Sequence, residues 1–370
     1  MVNKERIVKY FIDMAMIPSP SYKERDMANY LIKELKKLGL EVYEDSTGEK
    51  ILGNAGNVVA VLKGNKPKRL LISAHMDTVE PCEKITPIVE DDIIKTNGDS
   101  VLGADDKAGI ASILELISIL KENKIEHPEI VIVFSVAEEC GLHGAKNIDL
   151  SKFGKIDYGY ILDAGGDPGI CYNKAPYAAN GKYIIVGKSS HAGLEPEKGI
   201  NSFIVLAKAI NKLKLGRVNE NTTCNIGVVN GGFATNIVMP RIEISFEARS
   251  LYEDELERLL KKTAHTLEET CKKYKAEFIN NVYRGKTKGY ELSEDHEVIK
   301  VFKKSVENLG YEFKLKSSGG GSDTNIYNMK GIPSVNISIG MENIHSTDEF
   351  IKIDSLVNTS MLLVELLKNC

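Results

Sequence analysis

Short, nearly continuous apolar runs alternate with amphipathic segments through the first part of the chain. Apolar residues recur at helical spacing in three segments, 1–17, 22–38 and 107–120. Brief β-rich runs predict strands at 57–62, 69–74, 129–136 and 158–162. Buried strands that alternate with helices indicate an α/β fold, with a mainly parallel sheet covered by helices on both faces.

The pattern changes near residue 176. From there we expect β-α-β-β-α-β, with elements at 183–186, 200–213, 222–229, 242–249, 254–274 and 276–283. That order is the split βαβ plan of a ferredoxin-like α+β domain. The helix and strand pattern then returns at 297–309, 334–339 and 354–368. We therefore predict a discontinuous catalytic, metal-binding domain (1–175 and 288–370) with an inserted lid and dimerisation domain (176–287).

Composition narrows the classes of function. The 370 residues are 42% hydrophobic, and the net charge is −4 with acidic and basic residues mixed along the chain. We therefore expect neither a nucleic-acid partner nor a membrane partner. The six cysteines form no C-x-x-C pair, which is typical of reduced cytosolic thiols. Charged residues interrupt the first helix, which excludes a secretory signal there. These features predict a cytoplasmic protein with a small or polar partner.

Polar residues stand where the predicted strands end. His75 and Asp77 follow the run that ends at Ala74, Glu138 and Glu139 follow a run ending at Val136, and Asp163 follows Leu162. In an open α/β sheet, ligands bind outside the carboxyl ends of the strands. We therefore expect these side chains to converge on one site.

Imidazole and carboxylate groups without thiolate suit Zn²⁺, with Mn²⁺ or Co²⁺ possible. The candidate ligands are His75, Asp105, Glu139, Asp163 and His345. This set exceeds the needs of one tetrahedral catalytic ion. If Asp105 bridges two ions, each receives one histidine and one terminal carboxylate, as a two-metal hydrolase requires.

Two further carboxylates complete the predicted chemistry. Asp77, two residues after His75, is placed to accept the second ring N–H of that ligand. Neighbouring side chains at a strand end diverge, so Glu139 can bind metal while Glu138 faces the attacking water as general base.

Each feature also has an ordinary structural interpretation. A single histidine at a strand end is more often a satisfied polar residue, and acidic pairs are usually solvated turns or helix caps. Asp106 is expected to cap the helix that begins at Lys107, and the run from Gly319 to Gly321 is expected to be a flexible turn. The metal hypothesis depends on the whole constellation.

Several motifs in order resemble the di-zinc aminoacylase, carboxypeptidase G and peptidase T family. They are His75-Met76-Asp77, Gly103-Ala104-Asp105-Asp106-Lys107, Ala137-Glu138-Glu139, Ser190-His191-Ala192, Gly320-Gly321-Ser322-Asp323 and Ile344-His345-Ser346. The peptidase T-like branch is the most similar, which implies a tripeptide aminopeptidase. The resemblance also implies that His75 and Asp163 hold one metal, that Glu139 and His345 hold the other, and that Asp105 bridges the two. It further implies that the peptide bond between Asp105 and Asp106 is cis.

The resemblance implies further residues in the inserted domain. His191 matches a histidine that stabilises the oxyanion, and Asn236 and Arg249 match positions that grip the substrate's terminal carboxylate. Arg249 could equally be a surface ion-pair partner. Gly319 stands where peptidase T carries an arginine, which weakens the tripeptide assignment. Some branches dimerise through the lid, so a homodimer is possible.

These observations predict an exopeptidase for short peptides, in which a water between two metals attacks and Glu138 is the general base. A dipeptidase or an N-acyl-amino-acid deacylase on the same scaffold is the first alternative. A non-catalytic, metal-stabilised peptide-binding protein is the second.

Overall fold

A computed structural model describes all 370 residues. The chain forms two compact units. The first comprises Met1–Lys174, Glu291–Ser318 and Ser322–Cys370, and the second comprises Ala175–Tyr290 and Gly319–Gly321. No helix has both the length and the apolar character needed to cross a membrane. All six cysteines are free.

Every helix expected from apolar spacing is present, with shifted ends. The ten helices are α1 (Lys4–Ala15), α2 (Arg25–Lys37), α3 (Thr47–Ile51), α4 (Ala104–Asn123), α5 (His143–Asn147), α6 (Ser202–Ile210), α7 (Glu253–Lys273), α8 (Glu297–Asn308), α9 (Asp323–Met329) and α10 (Ile353–Asn369). The helix predicted at 200–213 begins at Ser202, because the Asn201 side chain accepts the N–H groups of Phe203 and Ile204 and so caps α6, and it ends at Ile210. The short helices α3, α5 and α9 were not predicted.

The strands include several that the apolar pattern did not indicate. They are β1 (Glu41–Glu44), β2 (Val58–Leu62), β3 (Lys66–His75), β4 (Ile88–Glu90), β5 (Ile93–Lys95), β6 (Pro128–Ser135), β7 (Tyr158–Gly165), β8 (Ile170–Ala175), β9 (Tyr177–Val186), β10 (Gly216–Arg217), β11 (Thr222–Gly231), β12 (Arg241–Ser250), β13 (Glu277–Arg284), β14 (Tyr290–Glu291), β15 (Lys314–Ser317), β16 (Ser334–Glu342) and β17 (Phe350–Lys352).

The main sheet has twelve strands, with the path β1-β2-β6-β3-β7-β16-β17-β5-β4. The predicted parallel arrangement is confirmed at its centre, where β6, β3, β7 and β16 run parallel. At the flanks, β2 pairs antiparallel with β6 and β17 pairs antiparallel with β16. The parallel centre places four strand carboxyl ends at one edge.

Helix α4 follows β5 and leads into β6, and it is the most buried helix of the first unit. Its residues from Ala104 to Leu120 are all buried, including the charged side chains of Lys107 and Glu115. It packs against α1 and α10. Its first turn therefore has a fixed position close to the ends of the central strands.

The second unit is a five-stranded antiparallel sheet in the order β10-β11-β12-β9-β13. Its four long strands follow the split βαβ arrangement. Helices α6 and α7 pack on each other and on the sheet. The core between them is mainly aliphatic and includes Tyr183, whose ring lies 5.2 Å from that of Phe246 and 5.7 Å from that of Phe278.

Candidate metal centre

The central strands of the first unit deliver the predicted residues to one place. His75 is the last residue of β3, and Glu138 and Glu139 follow the end of β6. Asp163 lies within β7, because that strand continues to Gly165 instead of ending at Leu162 as predicted. His345 lies in the loop that follows β16.

Asp105 lies at the centre of the cluster, and its two oxygen atoms face different histidines. Oδ1 is 3.0 Å from His75 Nε2, and Oδ2 is 3.2 Å from His345 Nε2. Each histidine also approaches a second carboxylate: His75 Nε2 lies 3.8 Å from Asp163 Oδ1, and His345 Nε2 lies 2.9 Å from Glu139 Oε1. One carboxylate therefore joins two pairs, each made of a histidine and a carboxylate.

The charges in the cluster are strongly coupled. Contacts with Asp105 and Glu139 raise the pKa of His345 to about 10. Burial acts to lower the pKa of His75, but its contacts with Asp105 and Asp77 outweigh burial and raise it. Burial acts to raise the pKa of Asp105, yet the hydrogen bonds to both histidines lower it. The carboxylates around each imidazole therefore favour its protonated form in the metal-free chain.

For Asp163 and Glu138, the charge of His75 lowers the pKa but does not outweigh burial. Burial raises the pKa of Asp163 well above its usual range, and the charge of Asp105 raises it further. Burial likewise raises the pKa of Glu138, with a further contribution from Asp163. The neighbouring Glu139 pairs with His345, whereas Glu138 pairs with neither histidine. The two adjacent glutamates thus occupy different environments.

Asp77 is fully buried, and its carboxylate holds the loop after β6. Oδ1 accepts the N–H of Glu138 at 2.9 Å, and Oδ2 accepts the N–H of Glu139 at 3.2 Å and the Ser21 hydroxyl at 2.6 Å. The Nδ1 atom of His75 lies 2.9 Å from the Asp77 carbonyl and 3.5 Å from its carboxylate. The carbonyl is thus the nearer acceptor of the ring N–H, a difference from the prediction.

Asp106 also belongs to the cluster, although it was predicted only as a helix cap. Its Oδ2 accepts the backbone N–H of His75 at 3.1 Å, and its Oδ1 is buried without a hydrogen bond. The Asp105–Asp106 peptide bond is cis, as the resemblance implied. Gly109 lets α4 approach β7 closely, because a Cβ there would lie 2.6 Å from the carbonyl oxygen of Leu162.

Two buried carboxylates near the cluster were missed by the sequence analysis. Glu24 Oε1 accepts the N–H groups of Tyr22 and Ala137, while its Oε2 is buried without a partner. Burial raises the pKa of Glu24 to about 7. Asp323 accepts the Ser135 hydroxyl at 2.5 Å, and burial raises its pKa to about 6. The only signal for Asp323 was its place in the Gly-Gly-Ser-Asp motif.

A third missed residue, Glu349, holds the turn before α4. Its Oε2 accepts the N–H of Gly103 at 2.7 Å, and its Oε1 accepts the N–H of Asp105 at 2.9 Å. Burial raises the pKa of Glu349 to about 7, although these N–H groups act in the opposite direction. Nothing in the sequence around Glu349, which follows Asp348 and precedes Phe350, indicated this contact.

Within the second unit, His191 and Asn236 lie on adjacent segments. The N–H of Ala192 donates to the carbonyl of Asn236 at 2.9 Å, and His191 forms a β-bridge with Ile237. The Nδ1 atom of His191 accepts the N–H groups of Gly193 and Leu194 at 3.2 and 3.1 Å. In the neutral ring the proton is therefore on Nε2, which makes that atom a hydrogen-bond donor.

Arg249, near the end of β12, forms an ion pair at the surface of the second unit. Its Nε lies 2.9 Å from Glu247 Oε1, and the two side chains are 38% and 50% exposed. The surface ion-pair alternative for Arg249 is thus present in the structure. Such exposed pairs are worth about 0–1 kcal/mol, so the contact leaves the guanidinium available to a ligand.

Comparison with known proteins places these residues in a family. The model of the peptidase family M20/M25/M40 matches residues 71–369. The chain belongs to peptidase family M20/M25/M40. Aminopeptidase PepT from Bacillus cereus ATCC 10987 is 38% identical with a TM-score of 0.93, and the alignment covers 100% of this chain and 99% of that one.

Two other relatives of this M20 peptidase match over nearly their whole length. A tripeptidase from Staphylococcus aureus subsp. aureus Mu50 is 36% identical with a TM-score of 0.95, over 100% of this chain and 98% of that one. Peptidase T of Fusobacterium nucleatum subsp. nucleatum is 29% identical over 99% of this chain and 97% of its own. The predicted family and the predicted class of enzyme, a peptidase, are confirmed.

The donor set of this M20 peptidase fits divalent cations. Potential ligand atoms of His75, Asp105 and Glu139 lie within 4.8 Å of one another, and so do those of His75, Asp106 and Asp163. These nitrogen and oxygen atoms are ligands that Zn²⁺, Mn²⁺ and Co²⁺ accept. A bound cation would also offset the like charges that raise the pKa of Asp163.

Proposed function

We propose that the protein is a metal-dependent aminopeptidase that releases the N-terminal residue of tripeptides. The proposal is supported by membership of the M20 family and by similarity to proteins described as an aminopeptidase, a tripeptidase and peptidase T. The observation that carries it is the geometry of Asp105, whose two oxygens face His75 and His345 separately. A single carboxylate shared in this way is what a two-metal site requires.

In this proposal His75 and Asp163 would hold one cation, Glu139 and His345 would hold the other, and Asp105 would be available to both. Zinc is the proposed metal, with cobalt or manganese as alternatives. When bound, such a pair of cations would polarise the scissile carbonyl and lower the pKa of the attacking water.

Glu138 accepts the proton of the attacking water and returns it to the leaving amine. This role suits Glu138 because Glu139 is engaged with His345 and because Asp77 holds the N–H groups of both glutamates. Glutamine has the same length as glutamate but cannot accept the proton, so Glu138→Gln tests the role with little change in shape.

His191 stabilises the carbonyl oxygen as it becomes negative, because its Nε2 carries the proton. Asn236 and Arg249 bind the terminal carboxylate of the substrate, and Arg249 exchanges Glu247 for that carboxylate.

The test uses metal-free protein to which Zn²⁺, Co²⁺ or Mn²⁺ is restored, with a tripeptide, a dipeptide and an N-acetyl amino acid as substrates. Metal-dependent release of the N-terminal residue from the tripeptide alone is the expected result. Preference for the dipeptide or the acyl compound would make the protein a dipeptidase or a deacylase. No hydrolysis of any of them by protein that binds metal would favour a peptide-binding role.

We also propose that two copies pair through β11. From Ile226 to Gly231 this strand pairs only with β12, because β10 covers only Thr223 and Cys224. Val228 and Val229 are 49% and 47% exposed, and β11 carries no charged residue. Natural edge strands usually carry charge or proline. Light scattering should report a dimer, and Val229→Lys should yield a monomer; a wild-type monomer would refute the pairing.

A further inference from the structure

The turn that carries Asp105 is held by a carboxylate from elsewhere in the chain. Glu349 uses one oxygen for each of two backbone donors, the N–H of Gly103 at 2.7 Å and the N–H of Asp105 at 2.9 Å. Its side chain is only 2% exposed. The position of the Asp105 backbone therefore depends on both oxygens of Glu349.

Glu349 belongs to the same short loop as His345. This loop follows β16, and two of its residues, Asn343 and His345, have φ values of +54° and +62°. The N–H of Glu349 donates to the carbonyl of Ser346 at 3.2 Å, which closes the loop on itself. The loop thus contacts Asp105 twice, through the exposed ring of His345 at Oδ2 and through the buried carboxylate of Glu349 at the backbone N–H.

We propose that Glu349 is a positioning residue of the metal centre, which fixes Asp105 relative to His345 by clamping the N–H groups of Gly103 and Asp105. The proposal rests on the proposed function only in taking Asp105 and His345 as metal ligands. Glu349 itself contacts no candidate ligand atom, so it acts through the backbone.

The two oxygens of Asp105 face different histidines, so a change in its backbone position affects both halves of the metal centre. A shift of the Asp105 backbone moves Oδ1 relative to His75 and Oδ2 relative to His345 at the same time. Loss of the clamp should therefore weaken the binding of both metal equivalents together. A residue that positions only Glu139 would weaken one of them.

Glutamine is the informative replacement, since it keeps the size of the side chain but retains only one oxygen. In Glu349→Gln an NH₂ group must face either the N–H of Gly103 or that of Asp105, so one of the two hydrogen bonds is lost. The matched control is Glu115→Gln in α4. Glu115 is also fully buried and accepts a backbone N–H, that of Asn3 at 2.8 Å, but it pairs with Arg6 outside the metal centre.

The first readout is made without metal. Amide exchange at Gly103 and Asp105 should be faster in Glu349→Gln than in the wild type and unchanged in Glu115→Gln. The second readout is titration of the metal-free proteins with Co²⁺, followed by its visible absorption. Residues that support metal ligands typically change metal affinity about 10- to 100-fold, so both Co²⁺ equivalents should bind at least about tenfold more weakly to Glu349→Gln.

Wild-type affinity for both equivalents in folded Glu349→Gln would overturn the proposal and leave the proposed function standing. Failure of the wild type to bind Co²⁺ would overturn both. An equal loss of affinity in Glu115→Gln would show that Glu349 stabilises the fold in general and does not specifically position the metal centre. If Glu349→Gln does not fold, Glu349→Asp, whose shorter side chain cannot reach both N–H groups, decides the question by the same titration.

Discussion

Replacing Glu24 by glutamine should make the stability of the metal-free protein less dependent on pH. Glu24 is fully buried, its Oε2 has no hydrogen-bond partner, and burial raises its pKa from 4.5 to about 7. Between pH 4.5 and 7 the folded chain therefore holds a proton on Glu24 that the unfolded chain has lost. Stability falls as the pH rises across this window, because the folded state must then ionise a buried group.

The size of the effect follows from the pKa. Each tenfold change in a protonation equilibrium corresponds to about 1.4 kcal/mol, so ionised Glu24 costs the folded state roughly 3 kcal/mol above pH 7. Glutamine does not ionise and can still accept the N–H groups of Tyr22 and Ala137 through its oxygen. Its NH₂ group replaces the unpartnered Oε2 at a cost that does not vary with pH.

Urea unfolding of both metal-free proteins at pH 5, 6, 7 and 8 measures the effect, with free energies of unfolding from linear extrapolation. Relative to the wild type, Glu24→Gln should gain about 2–3 kcal/mol between pH 5 and pH 8. The pH 5 value is the internal reference, since it contains the constant cost of the NH₂ group. A difference between the two proteins that stays the same at all four pH values would refute the reasoning.

Three further changes test other parts of the molecule. Glu138→Gln should lower kcat about 10²- to 10⁴-fold because the general base is lost, with metal content by mass spectrometry unchanged; near-normal kcat would exclude that role. His191→Ala should lower kcat about 10²- to 10³-fold through loss of the oxyanion donor, while unaltered kcat would make His191 a surface residue. Phe302→Ala should lower the free energy of unfolding by about 3–5 kcal/mol. The Phe302 ring is fully buried and lies 6.4 Å from the ring of Tyr160 and 6.3 Å from the ring of Phe313. A loss below about 1 kcal/mol would contradict this packing.

The sequence predicts the centre of the fold better than its margins. Apolar runs locate β3, β6, β7 and β16 because parallel strands are buried on both faces. Short flanking strands such as β4, with no buried residue, have no such signal. The antiparallel flanks could not be predicted, since strand direction depends on long-range pairing.

In the candidate site, too, residues with a local sequence pattern could be predicted and residues defined by long-range contacts could not. His75, Glu138 and Glu139 could be located from their position after apolar runs, whereas His345 was recognised with help from the family motif. Glu24 and Glu349 could not be found, because each is defined by contacts with backbone N–H groups distant in sequence, at Ala137 and at Gly103. Nothing in the local pattern separates such a buried carboxylate from a solvated one.

The central position of β16 also governs when the chain can complete its fold during synthesis. The second unit is almost entirely contained in Ala175–Tyr290, so it leaves the ribosome before Ser334–Glu342 is made. Until then β7 has an unpaired hydrophobic edge in place of its parallel partner β16. His345 is translated only after that strand. A chain that stops before β16 therefore lacks the candidate metal ligand His345 and leaves one edge of β7 unpaired.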